Sequence, residues 1–379
     1  LETLALATHP EVTIGGNATV NSSVFGGGEL GLTKGSVVVS IRGGTVVKDV
    51  YGGGSLANTN TTSTWAKRDA EGKPLPPDEH GNYAVDEVKI HPTTPVNLLG
   101  GSLRDAYGGG LGRLASTGVS AVEAFVYGDV KVELNNNNNG STAVGTSKGC
   151  IVNRIFGCNN LNGSPKAKVQ VYVYATQNRG QSTISGKTKG TYDVQAVYGG
   201  GNLSAYEPDD ALLEYTDANK ATVDAARTEV YIDGCDLTSI KQVYGGGNAA
   251  SVPATYVLVN RAFEIDEVFG GGNGADDYSL TNGTNTVWYK NPGANVGYYD
   301  YTRLVTDQDK GEDGKFIGTG SGTEADPYKN IDKENARTKD DRQNLAHHYM
   351  YGSGIATTEI KGGTIHTVYG GSNSRGNVR

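Results

Sequence analysis

Apolar and polar residues alternate along this chain in short runs, as in Val37-Val38-Val39-Ser40-Ile41-Arg42 and Val169-Gln170-Val171-Tyr172-Val173-Tyr174. A period of two puts successive side chains on opposite faces of an extended segment, so these runs predict half-buried strands. Leucine-rich stretches with helical spacing are nearly absent, while Val, Ile, Thr and Tyr, which suit a pleated surface, are plentiful. The pattern predicts an all-β chain.

The strands come in a repeat. One phrase, an aliphatic or Ala residue, an aromatic and a glycine run, recurs as Val24-Phe25-Gly26-Gly27-Gly28, Val50-Tyr51-Gly52-Gly53-Gly54, Ala106-Tyr107-Gly108-Gly109-Gly110 and Ile155-Phe156-Gly157-Cys158. It returns at Val197-Tyr198, Val243-Tyr244, Val268-Phe269 and Val368-Tyr369, making eight copies. A second phrase with a glycine pair precedes some of them, as in Ile41-Arg42-Gly43-Gly44-Thr45-Val46 and Ile360-Lys361-Gly362-Gly363-Thr364-Ile365. The closest copies lie 26 residues apart (Phe25 to Tyr51) and 25 apart (Tyr244 to Phe269). A unit of that length with short strands and glycine corners is one coil of a parallel β-helix, each strand pairing with its equivalent about 4.8 Å away in the next coil. We therefore expect a single domain over residues 1–379, a right-handed parallel β-solenoid of some ten coils with loop insertions.

Three features of the phrase acquire reasons in that geometry. Glycine avoids a clash between stacked corners and is expected to supply φ > 0 there. Asn160, Asn202, Asn248, Asn273 and Asn373 each lie four residues after the aromatic; they are expected to take the left-handed conformation and to bond along a ladder. The aromatic is Phe in three copies and Tyr in five, so its hydroxyl is dispensable and the position should be a packed ring column.

Two long insertions interrupt the repeat, at about 58–86 and about 275–354, and the Asn135–Asn139 run reads as a flexible turn. The larger insertion has a segment, Asn335 to His348, that could form one helix. Its tyrosine-rich part supplies Trp288, Tyr289, Tyr298, Tyr299 and Tyr301, candidates for contact with a ligand, since aromatic faces beside polar groups suit sugars. Cys150, Cys158 and Cys235 lack metal-ligand spacing and read as small core fillers, with a Cys150–Cys158 bridge as the alternative.

Composition narrows the function. Glycine supplies 56 of 379 residues without a period of three, which excludes collagen. The net charge of −8 comes with scattered Lys and Arg, so no basic stripe for nucleic acid is expected. No apolar run approaches the ~20 residues of a membrane helix. The chain opens at Leu1 rather than Met and ends just beyond a repeat, so a processed or trimmed piece of something longer is expected.

The Val-Tyr-Gly-Gly-Gly-Asn phrase, together with the Ile-x-Gly-Gly-x-Ile phrase, resembles the glycine-rich repeats of large cell-surface proteins of Bacteroides-like gut bacteria. The segment Gly320-Ser321-Gly322-Thr323-Glu324-Ala325-Asp326-Pro327-Tyr328 is similar to one that opens modules in such proteins. The resemblance implies an extracellular or surface-anchored adhesin and brings no catalytic residues.

Other chemistry is weakly signalled. Gly26-x-Gly28-x-x-Gly31 matches a dinucleotide fingerprint but is followed by a strand instead of a helix. Gly271-Gly272-x-Gly274-x-Asp276-x-Tyr278 fits one calcium nonapeptide, yet such sites need consecutive copies. Asp276, Asp277, Asp307, Asp309 and Asp313 are thus weak calcium candidates, and Glu312 stands where an EF-hand loop needs glycine. Parallel β-helices also carry polysaccharide lyases and glycoside hydrolases, which need converging carboxylates. The pairs Asp209-Asp210, Asp276-Asp277 and Asp340-Asp341 lie outside the repeating strands, and His80, His91, His347, His348 and His366 are dispersed. The expected function is a non-enzymatic adhesive rod displaying loops to glycans or host proteins, with no cofactor required. A carbohydrate-active enzyme is the alternative.

Overall fold

A computed structural model describes residues 7–61, 69–81 except 72 and 74, 91–136 except 117, 149–176, 190–208 except 191, 226–274 except 237, 293–297 and 353–378. Strand backbone alone is described at 63–66, 85–88, 278–282, 285–289, 298–299 and 350–351. The described residues are all β, with no α-helix among them.

One large parallel sheet curls on itself as the chain passes repeatedly through the same ladders. The first ladder stacks Glu11–Ile14, the start of Val38–Val46, the start of Thr94–Tyr107, Val130–Leu134, Val169–Val173, Thr228–Asp233, Thr255–Arg261 and Ala356–Ile360. The second runs from Thr19–Val20 and Val24–Phe25 through Val50–Tyr51, the end of Thr94–Tyr107, Ile151–Phe156, Val194–Tyr198, Ser239–Tyr244 and Glu264–Phe269 to Ile365–Tyr369. A short third line is marked by Thr59, Val126 and Pro165, and further on by Val252, Val296 and Val378. Among the described residues these ladders make eight coils, where some ten were expected.

Within the stretch 275–354 the third line is met once. Val296 returns to pair with Val252 and Val378. Likewise Thr59 and Thr61 still belong to the third line, so the earlier excursion starts after them and ends at Thr94.

Alternation sorts the side chains. Val39, Ile41, Val96, Leu98, Val132, Leu134, Val171 and Val173 point inward into the main core, with Val50, Ile155, Val197, Val243 and Val268 from the second ladder. The repeat aromatics, next in sequence to those valines, form a separate cluster on the other side of the strands. Phe25, Tyr51, Tyr107, Phe156, Tyr198, Tyr244, Phe269 and Tyr369 stack as one column with ring centroids 4.7–4.9 Å apart. That spacing is the inter-strand distance, so the rings inherit their stacking from the parallel ladder.

The asparagines lie over this column. Asn202 donates to Asn160, Asn248 to Asn202, Asn273 to Asn248 and Asn373 to Asn273, each at 2.8–2.9 Å between Nδ2 and Oδ1. Tyr198 and Tyr244 bond Asn248 and Asn273 through their hydroxyls. The ladder is as expected, but its left-handed backbone is not: the only non-glycine residues described with positive φ are Asn60 and Asn135. Asn135 is also no flexible turn. It is buried, with φ 56°, and its amide bonds the backbone of Cys150 on both sides and Ala175 O at 2.7 Å.

The glycine triplets likewise have ordinary φ; positive values fall on the second glycine of the pairs, at Gly16, Gly44, Gly101 and Gly363, and on isolated turn glycines such as Gly35, Gly112 and Gly163. Triplet glycines are required by contact instead. A Cβ on Gly52 would lie 2.4 Å from Gly108 O in the next coil. Cys150, Cys158 and Cys235 are buried free thiols, so the bridge is not formed.

Candidate functional site

The outward positions of the first ladder carry the densest polar chemistry described. Because valines occupy alternate inward positions, register alone brings Glu133, Tyr172, Tyr231 and Leu258 into one row, and Lys131, Gln170, Glu229 and Tyr256 into the next. Tyr172 and Tyr231 stack at 4.6 Å between centroids, and Lys131 Nζ lies over the Tyr172 ring, 4.9 Å from its centroid. Arg227 covers Tyr256 at 4.4 Å. The three rings are half-buried, and the Tyr172 and Tyr231 hydroxyls are bonded to Gln170 and Glu229.

Glu229 organises the centre. It accepts hydrogen bonds from Gln170 Nε2 at 2.8 Å, Tyr231 Oη at 2.9 Å and Arg227 Nε at 3.1 Å, and pairs with Lys168 at 3.2 Å. Burial works to raise its pKa, but these donors and cations together outweigh it and hold the carboxyl below the usual range. Such a group stays ionised at neutral pH and is a poor general acid. Glu133 pairs with Lys131 at 2.8 Å and accepts from Tyr174 Oη at 3.4 Å. Burial, reinforced by Glu133, pushes the Tyr174 hydroxyl up to about 12. Burial and Glu229 similarly raise Tyr172 and Tyr231. The face thus carries carboxylates, cations, hydroxyls and an amide held rigidly in rows, with Glu133, Glu229 and Asp233 balanced by Lys131, Lys168 and Arg227.

Three buried carboxylates elsewhere are tied into the scaffold. Asp49 and Asp105, almost wholly buried, hold Arg104 and Arg154 through two bonds each, at 2.6–2.8 Å and 2.6–3.1 Å. Arg154 in turn lies 5.3 Å from the Phe156 ring. Glu264 accepts from the Gly190 N–H at 2.9 Å and contacts His366 Nε2 at 2.8 Å. A concavity at the first coil is lined by Ala7, Pro10, Glu29, Leu30 and the backbone of Gly26–Gly28; it brings one carboxylate and no second acid or base.

The sequence-derived candidates are placed only in part. Trp288 and Tyr289 lie on the strand Asn285–Tyr289, paired antiparallel with Tyr278–Asn282; Tyr298 and Tyr299 pair with Tyr351 and Met350. Tyr301, Asp276, Asp277, Asp307, Asp309, Asp313 and the segment 335–348 lie outside the described residues. Among the described residues no group of three or more His, Cys, Asp or Glu is placed to hold a metal ion. No described helix is long and apolar enough to cross a membrane.

Sequence reasoning missed Tyr172, Tyr174, Tyr231, Tyr256 and Glu229 as a site. Their signal was present as polar and aromatic residues at every second position of valine strands, but which coil meets which depends on register. Comparison with known protein families, curated proteins and solved structures found no match.

Proposed function

We propose that the chain is a right-handed parallel β-solenoid serving as a structural, adhesive module of a secreted or surface-displayed bacterial repeat protein of the glycine-rich kind. Its ligand is a neutral, polyhydroxylated one, a glycan, held along the outer face of the first ladder. The observation that supports this reading is the pair of adjacent rows that hold Tyr172 with Tyr231 and Gln170 with Glu229 and Tyr256, Tyr174 lying beside them, linked by hydrogen bonds and balanced in charge. Hydrogen-bonding groups repeating at about 4.8 Å suit an extended polymer better than a compact substrate. The aromatics at Trp288, Tyr289, Tyr298, Tyr299 and Tyr301 are proposed as a second contact surface, with host proteins as its other partner class.

A panel of polysaccharides tests this. Binding without release of reducing ends or unsaturated products is expected, with Tyr174→Ala plus Tyr256→Ala weakening affinity at least tenfold while the thermal melt holds. Trp288→Ala tests the insertion in the same assay. Turnover of any polysaccharide would make the protein an enzyme, and unaltered affinity in the double variant would remove the ladder face from the proposal.

A further inference from the structure

Parallel register makes Tyr172 and Tyr231 direct neighbours on the outer face of the first ladder. Their rings stack at 4.6 Å between centroids with planes 12° apart, so the carbon ortho to each hydroxyl faces the neighbouring ring. Glu133 and Leu258 flank the pair in its row, one on each side. Both rings are half-buried, and Tyr231 Oη donates to Glu229 at 2.9 Å, within the reach of a positioned proton acceptor. Tyr172 is linked to the same carboxylate through Gln170, whose amide donates to Tyr172 Oη at 3.3 Å and to Glu229 at 2.8 Å.

Other tyrosines set the comparison. Tyr51 with Tyr107 and Tyr198 with Tyr244 stack in the ring column at 4.9 and 4.8 Å, nearly parallel. All four are at most 3% exposed, so a reagent in solution cannot reach them, and rings in that sealed column have no room to leave the parallel arrangement. Tyr172 and Tyr174, on one strand, are 6.1 Å apart, beyond ring contact, and Tyr231 and Tyr256 are 5.9 Å apart and tilted by 58°. Among the described residues, Tyr172 and Tyr231 are thus the pair that combines ring contact, partial exposure and a bonded carboxylate.

We propose that Tyr172 and Tyr231 form a site of oxidative coupling, where a peroxide acting through a one-electron oxidation catalyst joins them as a dityrosine between successive coils. Each phenol gives up one electron and its hydroxyl proton, Tyr231 through Glu229 and Tyr172 to solvent. The two phenoxyl radicals form a carbon–carbon bond between ortho positions. Tautomerisation then moves each ortho hydrogen to oxygen and restores both aromatic rings and both hydroxyls. In sum two electrons and two protons pass to one hydrogen peroxide, which becomes two waters. The new bond closes the chain between residues 172 and 231 into a loop and restricts the unfolded state as a disulfide would, so the coupled stack resists unfolding more strongly. Coupling needs no glycan, so loss of the glycan reading would leave it standing.

Treating the full chain with hydrogen peroxide and a haem peroxidase tests the proposal. Dityrosine fluorescence follows the reaction, and the monomer fraction is digested and mapped by mass spectrometry. The expected product is a monomer lighter by two hydrogens, with Tyr172 joined to Tyr231 and a urea midpoint above that of the untreated chain. Tyr172→Phe and Tyr231→Phe keep the stacked rings and should each lower the intramolecular yield at least tenfold, while Tyr127→Phe should leave it unchanged. Glu229→Gln should slow coupling several-fold, with a melt checking that it folds. A wild type without intramolecular dityrosine would overturn the proposal. So would coupling mapped to another pair, undiminished yield in either tyrosine variant of the site, an unaltered rate in Glu229→Gln, or an unaltered urea midpoint after coupling.

Discussion

Gly200 and Gly371 occupy the same place in the repeated phrase, the second glycine after the aromatic, and neither has a positive φ. They differ in what lies above them. A Cβ on Gly200 would stand 2.7 Å from Gly247 N, 2.8 Å from Val252 Cγ1 and 2.9 Å from Gly247 Cα; on Gly371 it would meet nothing within 4 Å. Ordinary carbon contacts begin at about 3.5 Å, so Gly200→Ala asks the next coil to retreat by the better part of an ångström. That coil is tied by Gly199 N–H to Tyr244 O at 3.0 Å and Gly200 N–H to Gly246 O at 3.1 Å, and cannot retreat without stretching both. Overpacking of this kind costs about 1–3 kcal/mol. Gly371→Ala meets no such obstacle and restricts the unfolded chain, so it should be neutral or stabilise by about 0.4–1 kcal/mol. Urea unfolding of the two variants measures the difference as a shift in midpoint at constant slope. Equal destabilisation by both would refute the steric argument and return the requirement to backbone conformation.

Asn248→Leu removes the bonds to Asn202, Asn273 and Tyr198 from mid-ladder and should cost about 2–3 kcal/mol, whereas Asn373→Leu at its end should cost under about 1 kcal/mol; chemical denaturation compares them. Tyr244→Phe should change stability by about 1 kcal/mol or less because Phe fills this column elsewhere, while Tyr244→Ala should cost about 3–5 kcal/mol, read from the same melts. Burial raises Tyr198 and Tyr174 to about 12 and lifts Tyr107 and Tyr206 well above the ordinary tyrosine value, so the folded state keeps protons that the unfolded chain loses above about pH 10. Stability should therefore fall as pH rises from 10 through 12, and phenolate absorbance should appear together with loss of the strand signal. Glu229 carries the opposite sign: its lowered pKa contributes stability above about pH 4.5 that is lost as pH falls through the folded value, and Glu229→Gln should flatten that acid limb of the stability curve.

The sequence alone determined the parts that depend on period and repetition. Alternation made strands, the eightfold phrase made coils, and the exchange of Phe with Tyr marked a packed column, because each of these is a local constraint copied from coil to coil. Only the tertiary structure decided what depends on contact between copies. The triplet glycines prove necessary because a neighbouring coil presses on Gly52 and Gly200, a condition that cannot be told from a demand for φ > 0 by reading a string of glycines. Asn135 looked like the start of a low-complexity run, yet its amide pins Cys150 and Ala175, residues 15 and 40 positions away. Glu229 and Gln170 are 59 residues apart, and Tyr172 and Tyr231 equally so, and only the parallel register sets them side by side. Spacing between copies varies with every excursion, so the chain does not encode those rows in any fixed interval. The rows exist because backbone hydrogen bonding fixes which residue lies above which, and that pairing is a property of the stack.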